Sequence, residues 1–338
     1  MKKLISLICV LAMVLALAAC GSSAPAAATE APAASTEAPA EDVSADKTFV
    51  VGICQLVQHP ALDAATQGFK DALTEALGDK VTFQEQNASG DSATCSLICN
   101  QFVSDEVDLI MANATASIQA AASATNTIPI LGTSITDYGV ALGVDNWTGI
   151  SGTNISGTSD LAPLDGQAAM IQELFPEAKT IGLLYCSGEP NSIFQADSME
   201  ALLTEMGYSV ERYTFADSND VSSVTANACS NSDVLYIPTD NTAASCTEAI
   251  NNVALSAGIP IVAGEEGIAS GCGVATLSIS YYDLGRATGE MAAEILTEGA
   301  DVSTMEVRFA PAFTKEYNAD ICEALNITVP EDYVAIAK

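Results

Sequence analysis

From Phe49 onward, short β-branched runs alternate with stretches whose apolar residues recur every three to four positions. Phe49-Val50-Val51-Gly52-Ile53 predicts a buried strand, since it is apolar on both alternating faces. Ala61 to Leu77 then places Leu62, Ala65, Phe69, Leu73 and Leu77 on one stripe, the signature of an amphipathic helix. Val81 to Phe83, Val107 to Met111 and Ile128 to Leu131 predict further strands, with helices over Thr94 to Asp105 and Ser117 to Ala124 between and after the first two of these. A second series of the same kind follows. Helices over Asp165–Phe175, Phe194–Met206, Val221–Cys229 and Thr242–Ser256 alternate with strands over Thr180–Tyr185, Ser209–Phe215, Val234–Ile237 and Ile259–Val262. Thr276 to Ile279 is a last strand before a long helix over Tyr282 to Leu296. Strand followed by helix, repeated, predicts an α/β fold with parallel sheets. The run Ser151 to Ser159, small, polar and glycine-rich, reads as a crossover or hinge between two modules.

The first residues do not follow this pattern. Lys2 and Lys3 precede an uncharged apolar run to Ala19, the form of an export signal, so 1–19 is read as a signal peptide. Its end, Leu17-Ala18-Ala19-Cys20-Gly21, resembles a bacterial lipobox, which implies lipidation of Cys20 and an extracytoplasmic location on the cell membrane. Residues 20–47, rich in Ala, Pro, Ser, Thr and Glu, read as a flexible tether.

Charge narrows the ligand. Lys and Arg total 11 against 43 Asp and Glu, a formal net charge of −32. Nucleic-acid binding needs cations that displace phosphate counterions, and this chain lacks them. One histidine, His59, leaves little for His-based catalysis. No nucleophile elbow, phosphate loop or zinc-protease motif occurs, so neither an enzyme nor a cofactor is expected. Helix N-termini at strand carboxyl ends hold carboxylates without a basic side chain.

The loops at those strand ends supply the candidate ligand residues. Gln55 ends the first strand; Thr115 and Ser117 open a helix where a carboxylate would sit; Ser134 lies in the hydroxyl-rich Thr133 to Asp137 loop. Asn191 and Ser192, then Asp240 and Asn241, occupy matching loops of the second module, and Glu265 and Glu266 follow the next strand. Asp240 is expected to receive an ammonium, with Glu265 or Glu266 adding charge. Cys95 and Cys99 lack neighbouring histidines, so no metal site is expected, and the eight body cysteines are read as mostly buried thiols.

Taken in order, Gln58 to Asp63, Ala114-Thr115 to Ala121, Thr136-Asp137, Asn154 to Gly157, Ser159-Asp160, Lys179 to Gly182, Glu189 to Ser192, Pro238 to Asn241 and Tyr281 to Arg286 resemble the substrate-binding lipoproteins of ABC importers of the tryptophan/tyrosine-binding type. The resemblance implies a periplasmic-binding-protein type I fold, with two Rossmann-like lobes joined by a multi-strand hinge. The expected division is 48–157 plus 281–310 for the first lobe and 158–280 plus 311–338 for the second. It also implies a monomer that binds an amino acid, of the aromatic kind (Trp, Tyr or Phe), and passes it to a membrane permease with its ATPase. A sugar or nucleoside ligand on the same fold, or a sensory role without transport, remain alternatives at this level.

Overall fold

The computed structural model describes residues 47–337. The signal peptide, Cys20 and nearly all of the tether expected in 1–47 lie outside the described residues. The first lobe begins with β1 (Phe49–Gln55), α1 (Pro60–Leu77), β2 (Val81–Asn87) and α2 (Ser92–Ser104). It continues through β3 (Leu109–Asn113), α3 (Thr115–Ala124), β4 (Ile130–Ile135), α4 (Tyr138–Leu142) and β5 (Ile155–Ser159). The chain then passes to the second lobe with α5 (Leu164–Leu174), β6 (Thr180–Cys186), α6 (Pro190–Glu205), β7 (Ser209–Phe215), α7 (Val221–Asn231) and β8 (Val234–Ile237). That lobe continues with α8 (Asn241–Ser245), α9 (Thr247–Ala257), β9 (Ile261–Ala263), α10 (Glu266–Cys272) and β10 (Ala275–Ser278). A long helix α11 (Tyr281–Glu298) and β11 (Arg308–Phe309) return to the first lobe. The chain ends with β12 (Thr314–Tyr317), α12 (Ala319–Leu325) and β13 (Val334–Ala335) in the second.

The first sheet has six strands in the order β11-β5-β4-β3-β1-β2, all parallel. The second has seven, β13-β12-β10-β9-β8-β6-β7, parallel except where β12 runs against β10. Alternation on the buried strands sorts the two cores. Val51, Ile53, Leu109 and Met111 face α1 and α11, while Ile110 and Ala112 face Ile98 and Phe102 of α2 and Ile118 of α3. In the second lobe Ile181 and Leu183 face α5 and α6, while Leu184 and Leu235 face α7, α9 and α10. Both faces of each sheet are thus covered, which explains why the strands read as continuous apolar runs.

Two departures from the sequence reading bear on the site. Ser151–Ser159 is only partly a connector, since Ile155–Ser159 is β5, fully buried beside β4. Its small residues disguise it. They make room for Tyr138, whose hydroxyl donates to the carbonyls of Gly132 at 3.0 Å and Thr158 at 3.1 Å. Gly157 has φ of 140°, and a Cβ there would overlap the Gly132 backbone. The single helix read over Thr242–Ser256 is two, α8 and α9, broken at Cys246. The chain leaves one sheet for the other after β5, after β10 and after β11, so three strands of chain form the hinge.

Candidate functional site

The carboxyl ends of both sheets open toward the space between the lobes, as parallel sheets require. There the lobes meet around a small cavity of about 10 Å³ lined by His59, Leu62, Ser134 and Thr136 from the first lobe. Asp160 and Tyr281 line it from the hinge, and Asn191, Thr239, Asp240, Asn241, Ala244 and Glu265 from the second lobe. No Lys or Arg is among the lining residues.

Each element aims its residue for a local reason. Ser134 sits at φ 57° where the β4–β5 register shifts, a strained conformation for a residue with a Cβ. That kink buries its hydroxyl, which finds no partner. His59 precedes the first turn of α1 with extended backbone and makes no capping bond. Its Nε2 instead reaches across the cleft to Asn241 Oδ1 at 3.3 Å. Glu189 fixes the direction of that bond. A carboxylate only accepts, so Asn241 turns its amide nitrogen to Glu189 Oε2 at 2.7 Å and its oxygen to His59. Nε2 therefore carries the proton, and Nδ1, buried and unpartnered, is a bare acceptor. Burial holds the ring's pKa below its ordinary value and so keeps it neutral.

Asp160 follows β5 directly. Its Oδ2 accepts from the Tyr281 hydroxyl at 2.9 Å, tying the first hinge segment to the second, and its Oδ1 is buried without a partner. Burial pushes its pKa up to about 6, against the bonds from Tyr281 and Thr136. Glu265 caps α10, accepting from Gly267 N at 2.6 Å and Ile268 N at 2.5 Å, and burial pushes it up to about 7. Asp240 caps α8 through Ala243 N at 2.7 Å and also accepts from Cys186 N at 2.6 Å. Burial and the neighbouring Glu189 charge raise its pKa as well.

Five of the ten predicted ligand residues line this cavity: Ser134, Asn191, Asp240, Asn241 and Glu265. The others stand elsewhere. Gln55 is buried behind the wall, its amide held by Asp63 at 2.6 Å, Val57 O at 2.9 Å and Thr66 at 2.6 Å. Thr115 is buried at the head of α3, and Ser117 turns inward to the thiols of Cys54 and Cys95. Ser192 is fully buried beneath Asn191, because α6 starts at Pro190 and the residue falls within its first turn. Glu266 lines an adjoining groove that shares Glu265 and Tyr281 with the cavity. His59, Asp160 and Tyr281 were not among the predicted ligand residues. The signal available for both was their place in the family-resembling segments Ser159-Asp160 and Tyr281 to Arg286; the strand before Asp160 read as a connector, and nothing local in sequence pairs it with Tyr281, 121 residues away.

The eight cysteines of the described residues are free thiols, all buried but Cys246. Among the described residues no cluster of three or more His, Cys, Asp or Glu is arranged for a metal ion, and no helix is long and apolar enough to cross a membrane.

A family model for ABC transporter substrate binding proteins matches residues 50–338. The chain belongs to that family. Its members are solute-binding proteins, not enzymes. The tyrosine-binding protein of Clostridioides difficile strain R20291 is 38% identical over 280 residues, covering 82% of this chain and 81% of that one. The crystal structure of an ABC domain from Streptococcus pneumonia in complex with L-Trp is 32% identical and covers 84% of this chain and 97% of its own, with a TM-score of 0.80. The ligand-free, open structure of a substrate binding protein with adhesive properties from Clostridium difficile is 38% identical and covers 86% and 99%, yet its TM-score is 0.66. This binding protein is thus closer in shape to the ligand-bound relative than to the open one, although the open one is nearer in sequence. In this arrangement of the lobes His59 bonds to Asn241, and Gln195 to Thr136 at 3.4 Å, across the cleft.

Proposed function

We propose that this protein captures a free aromatic amino acid between its lobes and delivers it to an ABC permease. In this reading it works on the outer face of the cell membrane, tethered by a lipid on Cys20. One observation carries the ligand class. Of the six buried side-chain polar atoms without a partner among the described residues, three belong to residues that line this one cavity: Asp160 Oδ1, His59 Nδ1 and Ser134 Oγ. Buried polar atoms are normally paired, so a cluster of unpaired ones in a cavity wall awaits a ligand. Two are acceptors suited to an ammonium, and the third is a hydroxyl that can donate to a carboxylate. The absence of Lys and Arg from the lining favours a zwitterion over an anion.

The relatives support the aromatic side chain: one is named for tyrosine and another holds L-Trp. Leu62, Ala244 and the Tyr281 ring give the cavity its apolar surface. A second interlobe pocket, sharing Asn241, offers Leu56, Val57, Ala116 and Ala216. Hydrogen bonds to charged groups contribute about 1.5–3 kcal/mol each. Three of them with ring burial account for micromolar affinity, about −8.2 kcal/mol. A ligand touching both lobes favours the closed form because only that form completes the contacts.

A thermal-shift panel of amino acids, sugars and nucleosides tests the ligand class. Tyr, Trp or Phe should raise the melting temperature by several degrees. A shift with sugars or nucleosides alone would overturn the reading. Mass spectrometry of the cell-derived N-terminal peptide tests the anchor, which an unlipidated Cys20 would refute.

A further inference from the structure

The cavity has more carboxyl groups than a zwitterion can satisfy. Asp160, Asp240 and Glu265 all line it and are all nearly inaccessible, and Glu189 stands directly behind Asp240. A bound amino acid contributes one ammonium but also a further carboxylate. Charges of one sign packed this tightly out of water are not all carried at once.

The hydrogen bonds distinguish the four. Glu189 accepts from the backbone N–H groups of Asn241 and Thr242 and from both of their side chains. Asp240 and Glu265 each accept two backbone N–H bonds at helix starts. Asp160 has no backbone donor beyond its own residue, and its Oδ1 is the one carboxyl oxygen of the lining that is buried without a partner. The groups around it offer no cation. Tyr281 reaches it from α11 and Thr136 from the segment after β4. The Tyr138 hydroxyl of α4 and the Glu265 carboxyl at α10 lie within electrostatic reach, and Asp240 and neutral His59 share the same wall.

We propose that the ligand's ammonium docks on Asp160 Oδ1 in exchange for a proton held by this carboxyl cluster, so that capture releases a proton and weakens in acid. This rests on the amino-acid reading and adds a linkage to it. The exchange balances simply. The protonated cluster and the zwitterion give an ammonium–carboxylate pair plus one proton lost to solvent, with no covalent bond to the ligand formed or broken. The groups that exchange titrate together, so the linkage belongs to the cluster, with Asp160 near about 6 and Glu265 near about 7. A carboxyl with its midpoint near 6 is about nine-tenths protonated at pH 5, which sets the expected loss of affinity at about tenfold between pH 7.5 and pH 5.

Titration calorimetry of the full chain with L-tyrosine and L-tryptophan tests this. It should be run at both pH values and, at pH 6, in buffers of different ionisation enthalpy. The expected result is affinity about tenfold weaker at pH 5 and a binding heat that follows the buffer, reporting release of up to one proton. Asp160→Asn should bind more weakly at pH 7.5 and lose most of the pH dependence. If that variant does not fold, the wild-type buffer series still decides. Normal binding with heat and affinity independent of buffer and pH would overturn the proton exchange while leaving amino-acid capture intact. No binding of either amino acid at any pH would overturn the underlying reading, and this proposal with it.

Discussion

His59 at the end of the first β–α loop and Asn241 at the head of α8 meet across the cleft, Nε2 to Oδ1, at 3.3 Å. The two residues are 182 positions apart and lie on different lobes, so their contact depends on how the lobes sit against each other. Removing a neutral hydrogen bond costs about 0.5–1.5 kcal/mol. His59→Ala should therefore weaken amino-acid binding by roughly twofold to tenfold, mainly through faster release, with the melting temperature of the free protein nearly unchanged. Stopped-flow fluorescence would measure the release rate; a rate equal to wild type would show that this contact does not hold the cleft shut.

Asp240 has a structural duty alongside any ligand contact. Its carboxylate caps α8 and bridges to Cys186 N at the end of β6. Asp240→Ala leaves two backbone N–H groups unpaired, one of them deeply buried, and should cost about 2–4 kcal/mol of stability. Asp240→Asn keeps one acceptor and should cost less than half of that. Urea unfolding of the ligand-free protein separates them; equal midpoints for alanine and wild type would mean that the cap contributes nothing.

Helix α11 lies so close to α1 that a Cβ on Gly285 would overlap the Ala65 carbonyl. Backbone cannot yield there as a side-chain tip can. Gly285→Ala should destabilise by more than about 2 kcal/mol, comparable to overpacking a core. Expression yield and the denaturation midpoint would show it, and a variant as stable as wild type would contradict the packing described.

The buried acids give stability a direction in pH. Asp160 and Glu265 hold protons more tightly when folded than when unfolded, with folded values near about 6 and about 7. Their contribution is complete below the ordinary carboxyl range near 4 and is lost as pH rises through those values. The ligand-free protein should accordingly lose stability between pH 5 and pH 8. Glu265→Gln should flatten that loss, since an amide has no proton to give up. Calorimetric melting temperatures for both proteins across that range check the sign; a wild type that gains stability on the alkaline side would refute it.

The repeating strand and helix pattern was legible because the strands of a covered parallel sheet are apolar throughout and the helices carry one apolar stripe. Strand β5 escaped notice since Ser156, Gly157 and Thr158 are chosen for smallness around the Tyr138 hydroxyl, a demand set by tertiary packing. Within the site, the residues that fall at helix entries in the second lobe were found, Asp240 and Glu265 among them, because capping chemistry is local. Gln55 and Ser117 look the same in sequence as residues that face the cleft, yet the partners that turn them inward, Thr66 and Cys95, are fixed only by the fold. Asp160 was missed as a ligand residue for the converse reason. Its orientation depends on Tyr281, which follows only after nearly the whole second lobe in the sequence.

The return of α11 to the first lobe has a consequence for how the chain matures. A nascent polypeptide emerging residue by residue has all of β1 to β5 available early, but the helix that covers Ala65, Phe69 and Ala72 of α1 is translated only after nearly the whole second lobe. Until then one flank of the first sheet stays wet and unfinished. A chain truncated before Tyr281 should accordingly remain prone to aggregation, however completely its earlier segments are present.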